Sequence, residues 1–195
     1  MAALNPPVCA FDWPAPDFAL PDAFGHRHTL ASTRGEKGLL VMFICNHCPY
    51  VKAILDRLLA TCRDLRAEGI GSVAIMSNDV VAYPEDALPN MRVLAEKLDF
   101  PFPYLYDESQ AVARAYGAVC TPDFFGFNAH LGLQYRGRLD AAQRTPAPPE
   151  VRRELWEAMR QIAQTGKGPV EQVASIGCSI KWRETEGRVG LEQFF

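Results

Sequence analysis

Seven consecutive residues, Gly38-Leu39-Leu40-Val41-Met42-Phe43-Ile44, carry no charge and no polar alternation. A run so continuously apolar does not suit an exposed strand and predicts a central one, covered on both faces. The pattern then changes period. Over 50–66, Val51, Ile54, Leu55, Leu58, Leu59, Cys62 and Leu65 recur at steps of three and four, while Lys52, Asp56, Arg57, Arg63 and Asp64 lie mainly on the other side. That is an amphipathic helix. Gly69 and Gly71 bracket its exit, and Val73-Ala74-Ile75-Met76 reads as a second buried strand.

The flanking segments complete an alternating order. Residues 1–15 contain Pro6, Pro7 and Pro14 with little periodicity, so an irregular arm is expected there. Short strands at 17–20 and 27–30 flank a turn. Downstream, a helix is expected near 90–98, and Phe102 to Tyr106 as a short extended segment whose Pro103 argues for an edge or a strand start. Asp107 can cap a helix over 108–117. Asp123 to Phe127 and Leu133 to Gly137 predict a hairpin, and 150–164 a last helix with Val151, Leu155, Ala158, Met159 and Ile162 inward. The order is β-β, β-α-β-α-β-α, β-β-α. This predicts an α/β domain over 16–165, an N-terminal arm at 1–15, and a tail at 166–195 packing on the domain. In that tail Trp182, Phe194 and Phe195 are expected to cover the core.

Composition narrows the function classes. At 195 residues, with 48% hydrophobic and 22% charged residues, the chain can bury a substantial core. A formal net charge of -3 gives no reason to expect nucleic acid or an acidic membrane surface as partner. No apolar run approaches the ~20 residues needed to span a bilayer. Met1 to Pro16 has neither the basic nor the apolar region of a secretory signal, so a cytoplasmic location is expected. In that compartment the cysteines Cys9, Cys45, Cys48, Cys62, Cys120 and Cys178 read as catalytic, metal-binding or buried thiols rather than as a structural disulfide framework.

The chemistry concentrates at Cys45-Asn46-His47-Cys48-Pro49-Tyr50, where the apolar strand meets the amphipathic helix. Two thiols three positions apart in a first helical turn can pair with each other, and the free N–H groups of that turn stabilise a thiolate. Thiol–disulfide exchange needs this arrangement. Cys45, at the strand end, is the expected attacking thiol and Cys48 the more shielded one; His47 between them can add positive charge and a hydrogen bond. Pro49 complicates the ranking. Proline favours the first helical position, so Cys48 could cap the helix and take most of the benefit of its dipole. The alternatives for the pair are a zinc half-site and a structural role. A closed zinc site would need distant partners, since there are 4 histidines and no second Cys-x-x-Cys, and neither metal nor cofactor is expected. Cys62, on the inner helix face, reads as a small core residue, and Cys9 has no evident role.

The chain resembles thioredoxin-fold proteins of the alkyl hydroperoxide reductase/thioredoxin superfamily, and more closely the peroxiredoxin-like members with a Cys-Asn-His-Cys-Pro-Tyr motif. Pro16-Asp17-Phe18, Phe43 to Val51, Ser77-Asn78-Asp79 with Tyr83-Pro84-Glu85-Asp86, Tyr116 to Phe125, and Ser175 to Trp182 carry the resemblance. It implies a thioredoxin fold: a central mixed sheet flanked by helices, here with an N-terminal hairpin and a C-terminal tail. It also implies that Cys45 attacks and Cys48 resolves. Thr121-Pro122 then corresponds to the cis-proline pair facing the two thiols, a backbone edge where an incoming chain can bind. Cys120 lies beside that pair and Cys178 in the tail, so a second disulfide or a relay through them competes with ordinary buried thiols.

Several usual supports are missing. Thioredoxins carry a tryptophan before the first cysteine, where this chain has Ile44, and a buried acid six positions before it, where this chain has Leu39. Asp79, Glu85 or Asp86 could replace that acid, with no position assigned. The peroxidatic Pro-x-x-x-Thr/Ser-x-x-Cys pattern also fails: counting back from Cys45 gives Met42 and Gly38, and from Cys48 gives Cys45 and Val41. The leading expectation is a thiol–disulfide oxidoreductase. Its partners would be a protein or small-molecule disulfide or dithiol and a thiol electron donor. A thiol peroxidase and a non-catalytic thioredoxin-fold binding module are the alternatives.

Overall fold

The computed structural model describes residues 3–148 and 150–183, which leaves Phe194 and Phe195 outside the described residues. The apolar run forms strand β4 (Gly38–Phe43), every residue of which is buried. The ordering of the other strands around it explains why. It pairs in parallel with β5 (Ile70–Met76) and antiparallel with β8 (Asp123–Asn128). Strands β6 (Tyr104–Tyr106) and β9 (Leu133–Tyr135) form the two edges, giving the order β6-β5-β4-β8-β9. Pro103 precedes the edge strand β6, where a missing N–H costs no ladder bond.

Alternate residues of β4 then face two different cores. Leu40 and Met42 pack with the inner faces of helix α2 (Pro49–Ala67), helix α3 (Leu88–Lys97) and helix α5 (Glu154–Thr165). Leu39, Val41 and Phe43 pack on the opposite side with Tyr116, Phe125 and Phe127. The periodicity of α2 is borne out: Val51, Ile54, Leu55, Leu58, Leu59, Cys62 and Leu65 are all buried. Cys62 is the core thiol expected, its proton directed at Met42 Sδ and its pKa pushed up to about 12 by burial.

Some boundaries differ for local reasons. The helix expected over 108–117 is α4 (Ala111–Tyr116), because Gln110 adopts a left-handed conformation at φ 61°. Asp107 still serves its first turn, accepting from the backbone N–H groups of Val112 at 3.4 Å and Ala113 at 2.9 Å. The first hairpin, β2 (Ala19–Pro21) with β3 (Arg27–Thr29), runs straight into a short helix, α1 (Leu30–Thr33). Thr29 and Ser32 form a capping box there, which the strand reading of 27–30 overlooked. The last helix begins at Glu154 rather than 150.

The arm and the tail are more ordered than their sequences suggest. Asp12 N–H donates to the Leu133 carbonyl and Leu133 N–H to the Trp13 carbonyl, so the arm continues the sheet past β9. The ends also meet. Strand β1 (Ala3–Leu4) pairs with β10 (Gly177–Ser179), and β10 pairs with β7 (Cys120–Thr121), all antiparallel. A Cβ on Gly177 would collide with the Thr121 carbonyl oxygen, so glycine is what allows this approach. Trp182 is partly exposed, with the Arg114 guanidinium 4.3 Å from its ring centroid, rather than covering the core. Among the described residues, no helix is long and apolar enough to cross a membrane.

Candidate active site

The chain leaves β4 at Phe43 and enters α2 at Pro49. The five residues between, Ile44 to Cys48, present the two thiols at the helix N-terminus. Cys48 is the N-cap and Pro49 the first helical residue. The proline argument therefore applies: Cys48, not Cys45, sits on the dipole end of α2. Both cysteines are almost wholly buried, at 1% and 0% exposure, so the expected contrast in accessibility between them is absent.

Each sulfur has its own surroundings. Cys45 Sγ lies 3.4 Å from Thr121 Oγ1 and 3.9 Å from His47 Nδ1. Cys48 Sγ lies 3.1 Å from the Thr121 carbonyl, to which it donates while it is a thiol. The Thr121–Pro122 peptide bond is cis, and its two residues line the site as the resemblance implied. The Cys45 thiol is hydrogen-bonded to Cys48, and this contact does most to pull the Cys48 pKa down, to about 4. Burial opposes the shift, while the Thr121 side chain and the backbone N–H groups of Val51 and Cys178 favour it. Cys45 moves well above the ordinary thiol range, first through the same shared hydrogen bond, then through burial and the negative charge of Asp86. The two proton affinities are thus driven apart, down at Cys48 and up at Cys45.

Of the three acids considered in place of the one absent at Leu39, Asp86 lies against the motif loop, carried by the one-turn 3₁₀ helix Pro84–Asp86. It is fully buried beneath the motif loop. Its Oδ1 accepts the backbone N–H groups of Asn46 at 2.8 Å and His47 at 3.2 Å. Its Oδ2 accepts His47 Nδ1 at 2.7 Å and Asn78 Nδ2 at 2.8 Å. The His47 ring stacks on Tyr83, with centroids 5.2 Å apart and planes 12° from parallel. With Nδ1–H given to the carboxylate, the buried Nε2 of His47 has no hydrogen-bond partner. Asn46 is tied in turn to the Glu85 carbonyl and to the Tyr104 hydroxyl. The sequence had named Asp86 only among three unassigned acids. Its usable signal was the Tyr83-Pro84-Glu85-Asp86 run, a proline-initiated turn carrying two carboxylates.

Donor atoms of Cys45, His47 and Asp86 lie within 4.8 Å of one another, close enough to consider a cation. The Asp86–His47 separation of 2.7 Å argues against one. Two ligands on a tetrahedral zinc with bonds of about 2.0 Å sit roughly 3.3 Å apart. The trio is instead an imidazole anchored through Nδ1 to a buried carboxylate, with Cys45 Sγ beside it at 3.9 Å.

The other candidates divide. Cys178 on β10 stands opposite Thr121 in register and shares a buried cluster with Cys45 and Cys48. Cys120 is buried, its thiol 3.5 Å from the Pro122 carbonyl oxygen, and burial drives its pKa far up. Cys9 is remote in the arm, half-buried, with its pKa pushed up to about 11 by burial. Beside Pro122, a shallow cleft is lined by Tyr50, Ile54, Phe124, Leu139 and Ile176.

Residues 12–140 match the model of the AhpC/TSA family. No curated protein matches the chain. A crystal structure of an uncharacterized conserved protein from Geobacillus kaustophilus is 41% identical. It superposes with a TM-score of 0.89 over 95% of this chain and 98% of the other. A hypothetical protein of Sinorhizobium meliloti is 38% identical, with a TM-score of 0.87 over 93% of this chain and 98% of its own. A thiol:disulfide interchange protein of the thioredoxin family from Chlorobium tepidum shares the fold. Its TM-score is 0.59 at 17% identity, over 77% of this chain and 95% of that one.

Proposed function

The chain belongs to the AhpC/TSA family and has a thioredoxin fold, and from that premise we propose that it is a thiol–disulfide oxidoreductase working through Cys45 and Cys48. One observation carries the reading: two hydrogen-bonded thiols at a helix N-terminus, beside a cis-proline, whose proton affinities are driven in opposite directions.

In the reduced pair the Cys48 thiolate accepts the Cys45 proton, which makes Cys45 nucleophilic as it attacks a substrate disulfide. A Cys45–substrate bond forms, the substrate S–S bond breaks, and the departing sulfur takes the proton from Cys48. The Cys48 thiolate then attacks Cys45 Sγ. The Cys45–Cys48 disulfide forms and the second substrate thiolate leaves. Two electrons pass to the substrate, and the reverse sequence oxidises a dithiol. No group beyond these residues is needed. Asp86 and His47 fix the loop that holds Cys45, and Thr121–Pro122 offers the edge beside which the substrate chain lies. A thiolate stabilised on Cys48 favours the reduced state, so the couple is oxidising for its fold. The substrate is a protein or small-molecule disulfide or dithiol, with a thiol donor closing the cycle.

The peroxidase alternative finds less support. Thr121 offers Cys45 a hydroxyl, but among the described residues no arginine is hydrogen-bonded to either thiol to orient a peroxide. The test is a parallel challenge of Cys48→Ser with a peptide disulfide and with hydrogen peroxide, read by mass spectrometry. A mixed disulfide trapped on Cys45 is expected. Rapid peroxide consumption with a sulfenic acid on Cys45 would move the assignment to a peroxidase. Inertness of both thiols would leave the binding module.

A further inference from the structure

The exchange just described uses two sulfurs, yet the site contains three. Strand β10 crosses directly behind the redox pair, with Cys178 in register with Thr121. Cys48 Sγ lies 3.1 Å from the carbonyl oxygen of that same Thr121, which places Cys48 and Cys178 on one residue of β7. Cys45, Cys48 and Cys178 share one buried cluster, with Cys178 only 3% exposed. The approach is specified by the chain itself, because Gly177 is the residue whose lack of a Cβ lets β10 lie against the Thr121 carbonyl. Cys48 is therefore flanked by a thiol on each side.

We propose that Cys178 is a third redox-active thiol, which takes Cys48 from Cys45 and so moves the disulfide into the interior. This rests on the Cys45–Cys48 reading above. In the oxidised pair, Cys178 sulfur attacks Cys48 Sγ. The Cys48–Cys178 bond forms as the Cys45–Cys48 bond breaks, and Cys45 leaves as the thiolate and takes up the Cys178 proton. The exchange consumes neither oxidant nor reductant. The electrons removed from the trio are the two already delivered to the substrate disulfide. Cys45 returns to the thiol state while the protein stays oxidised, free to engage a second disulfide.

The surroundings set an order of events. In the reduced protein the Cys178 pKa is pushed up to about 11, by burial first and then by the hydrogen bond and negative charge of Cys48. The Cys48 contributions vanish once it is in a disulfide, while the lowering influence of Lys181 remains. Oxidation of Cys48 thus eases the restraint on Cys178, although burial, the largest influence, still holds its proton. The Cys120 thiol is directed away, at the Pro122 carbonyl oxygen 3.5 Å off.

The test uses the full chain with Cys45→Ser, reduced, oxidised with diamide, quenched in acid, alkylated and digested. The expected product is a peptide pair joining Cys48 to Cys178. Labelling of Cys178 should fall about tenfold relative to Cys45→Ser/Cys48→Ser treated alike. Undiminished labelling of Cys178, or a Cys48–Cys120 linkage in its place, overturns the proposal. The native chain provides a second arm should Cys45→Ser fold poorly. After oxidation to one disulfide, the remaining label must be divided between Cys45 and Cys178, and label confined to Cys178 counts against it. Failure of the underlying reading would show elsewhere, as no mixed disulfide on Cys45 in Cys48→Ser.

Discussion

Replacing Asp86 with asparagine should affect stability and reactivity in opposite directions. The carboxylate accepts from four donors: the Asn46 and His47 backbone N–H groups, His47 Nδ1 and Asn78 Nδ2. An amide of the same shape can keep its oxygen on the two backbone groups. Its NH₂ then opposes both the Asn78 NH₂ and the His47 Nδ1–H; a change of tautomer relieves the ring, and the Asn78 donor is left without a partner, which costs about 1–3 kcal/mol. The bonds that survive lose their charge assistance, at about 1 kcal/mol each. Relief of burying a carboxylate returns part of this. A net loss of about 3 kcal/mol follows, at the low end for breaking a buried charged network. For a chain of this length that lowers Tm by about 6–12 °C. Reactivity should rise instead. The Asp86 charge is one of the influences holding the Cys45 pKa up, so removing it shifts the alkylation profile of Cys45 to lower pH. The two readouts are a calorimetric melt of the reduced protein and the pH dependence of Cys45 labelling in Cys48→Ser. A Tm change under about 2 °C, or a Cys45 profile moved to higher pH, would refute this account of Asp86.

Four further outcomes follow from the same geometry. With Cys48 near 4 and Cys45 raised, the reduced pair carries one proton over the neutral range, so the reduction potential should fall by about 30 mV per pH unit between pH 5 and 8; a slope of about 59 mV means that both thiols are protonated. Because the Cys48 pKa is depressed on folding, its contribution to the stability of the reduced protein is full above its usual pKa of 9.0 and is lost as pH falls towards 4; Cys48→Ser should abolish that dependence in denaturant titrations. Thr121→Val removes the hydroxyl 3.4 Å from Cys45, and a lost hydrogen bond of about 1 kcal/mol should slow Cys45 labelling at neutral pH about fivefold, whereas faster labelling would contradict the role given to that hydroxyl. Gly177→Ala forces β10 off the Thr121 carbonyl, which should cost about 2 kcal/mol and expose Cys48 to alkylation; an unchanged melt and unchanged Cys48 labelling would show that the strand can give way.

What the sequence disclosed, and what it withheld, divides by range. The buried strand at 38–43 and the helix at 49–67 were legible because each imposes its own period on residues that are neighbours in the chain. Pro49 raised the alternative, found in the structure, that Cys48 caps α2. Asp86 was not legible as a site residue, since its importance comes from four donors supplied by two other segments. No local pattern distinguishes it from Glu85. The pairing of β1 with β10 was hidden for a related reason. Strands of two and three residues carry too little alternation to announce a partner some 170 positions away. The shift of the helix start to Ala111 turned on one left-handed residue, Gln110, a conformation its side chain does nothing to advertise.

The three-stranded ribbon β1-β10-β7 has a consequence for the order in which the chain acquires its properties during synthesis. Residues 38–67, with both motif cysteines, are translated well before 177–179, and a nascent domain can arrange β4 and α2 before the tail exists. Until β10 arrives, Cys48 lacks the Cys178 N–H and stands uncovered on the Thr121 side. The growing polypeptide therefore passes through a stage in which its sulfurs are open to indiscriminate oxidation. Maturation ends when strands from near the two limits of the described chain, β1 and β10, close over Thr121 together.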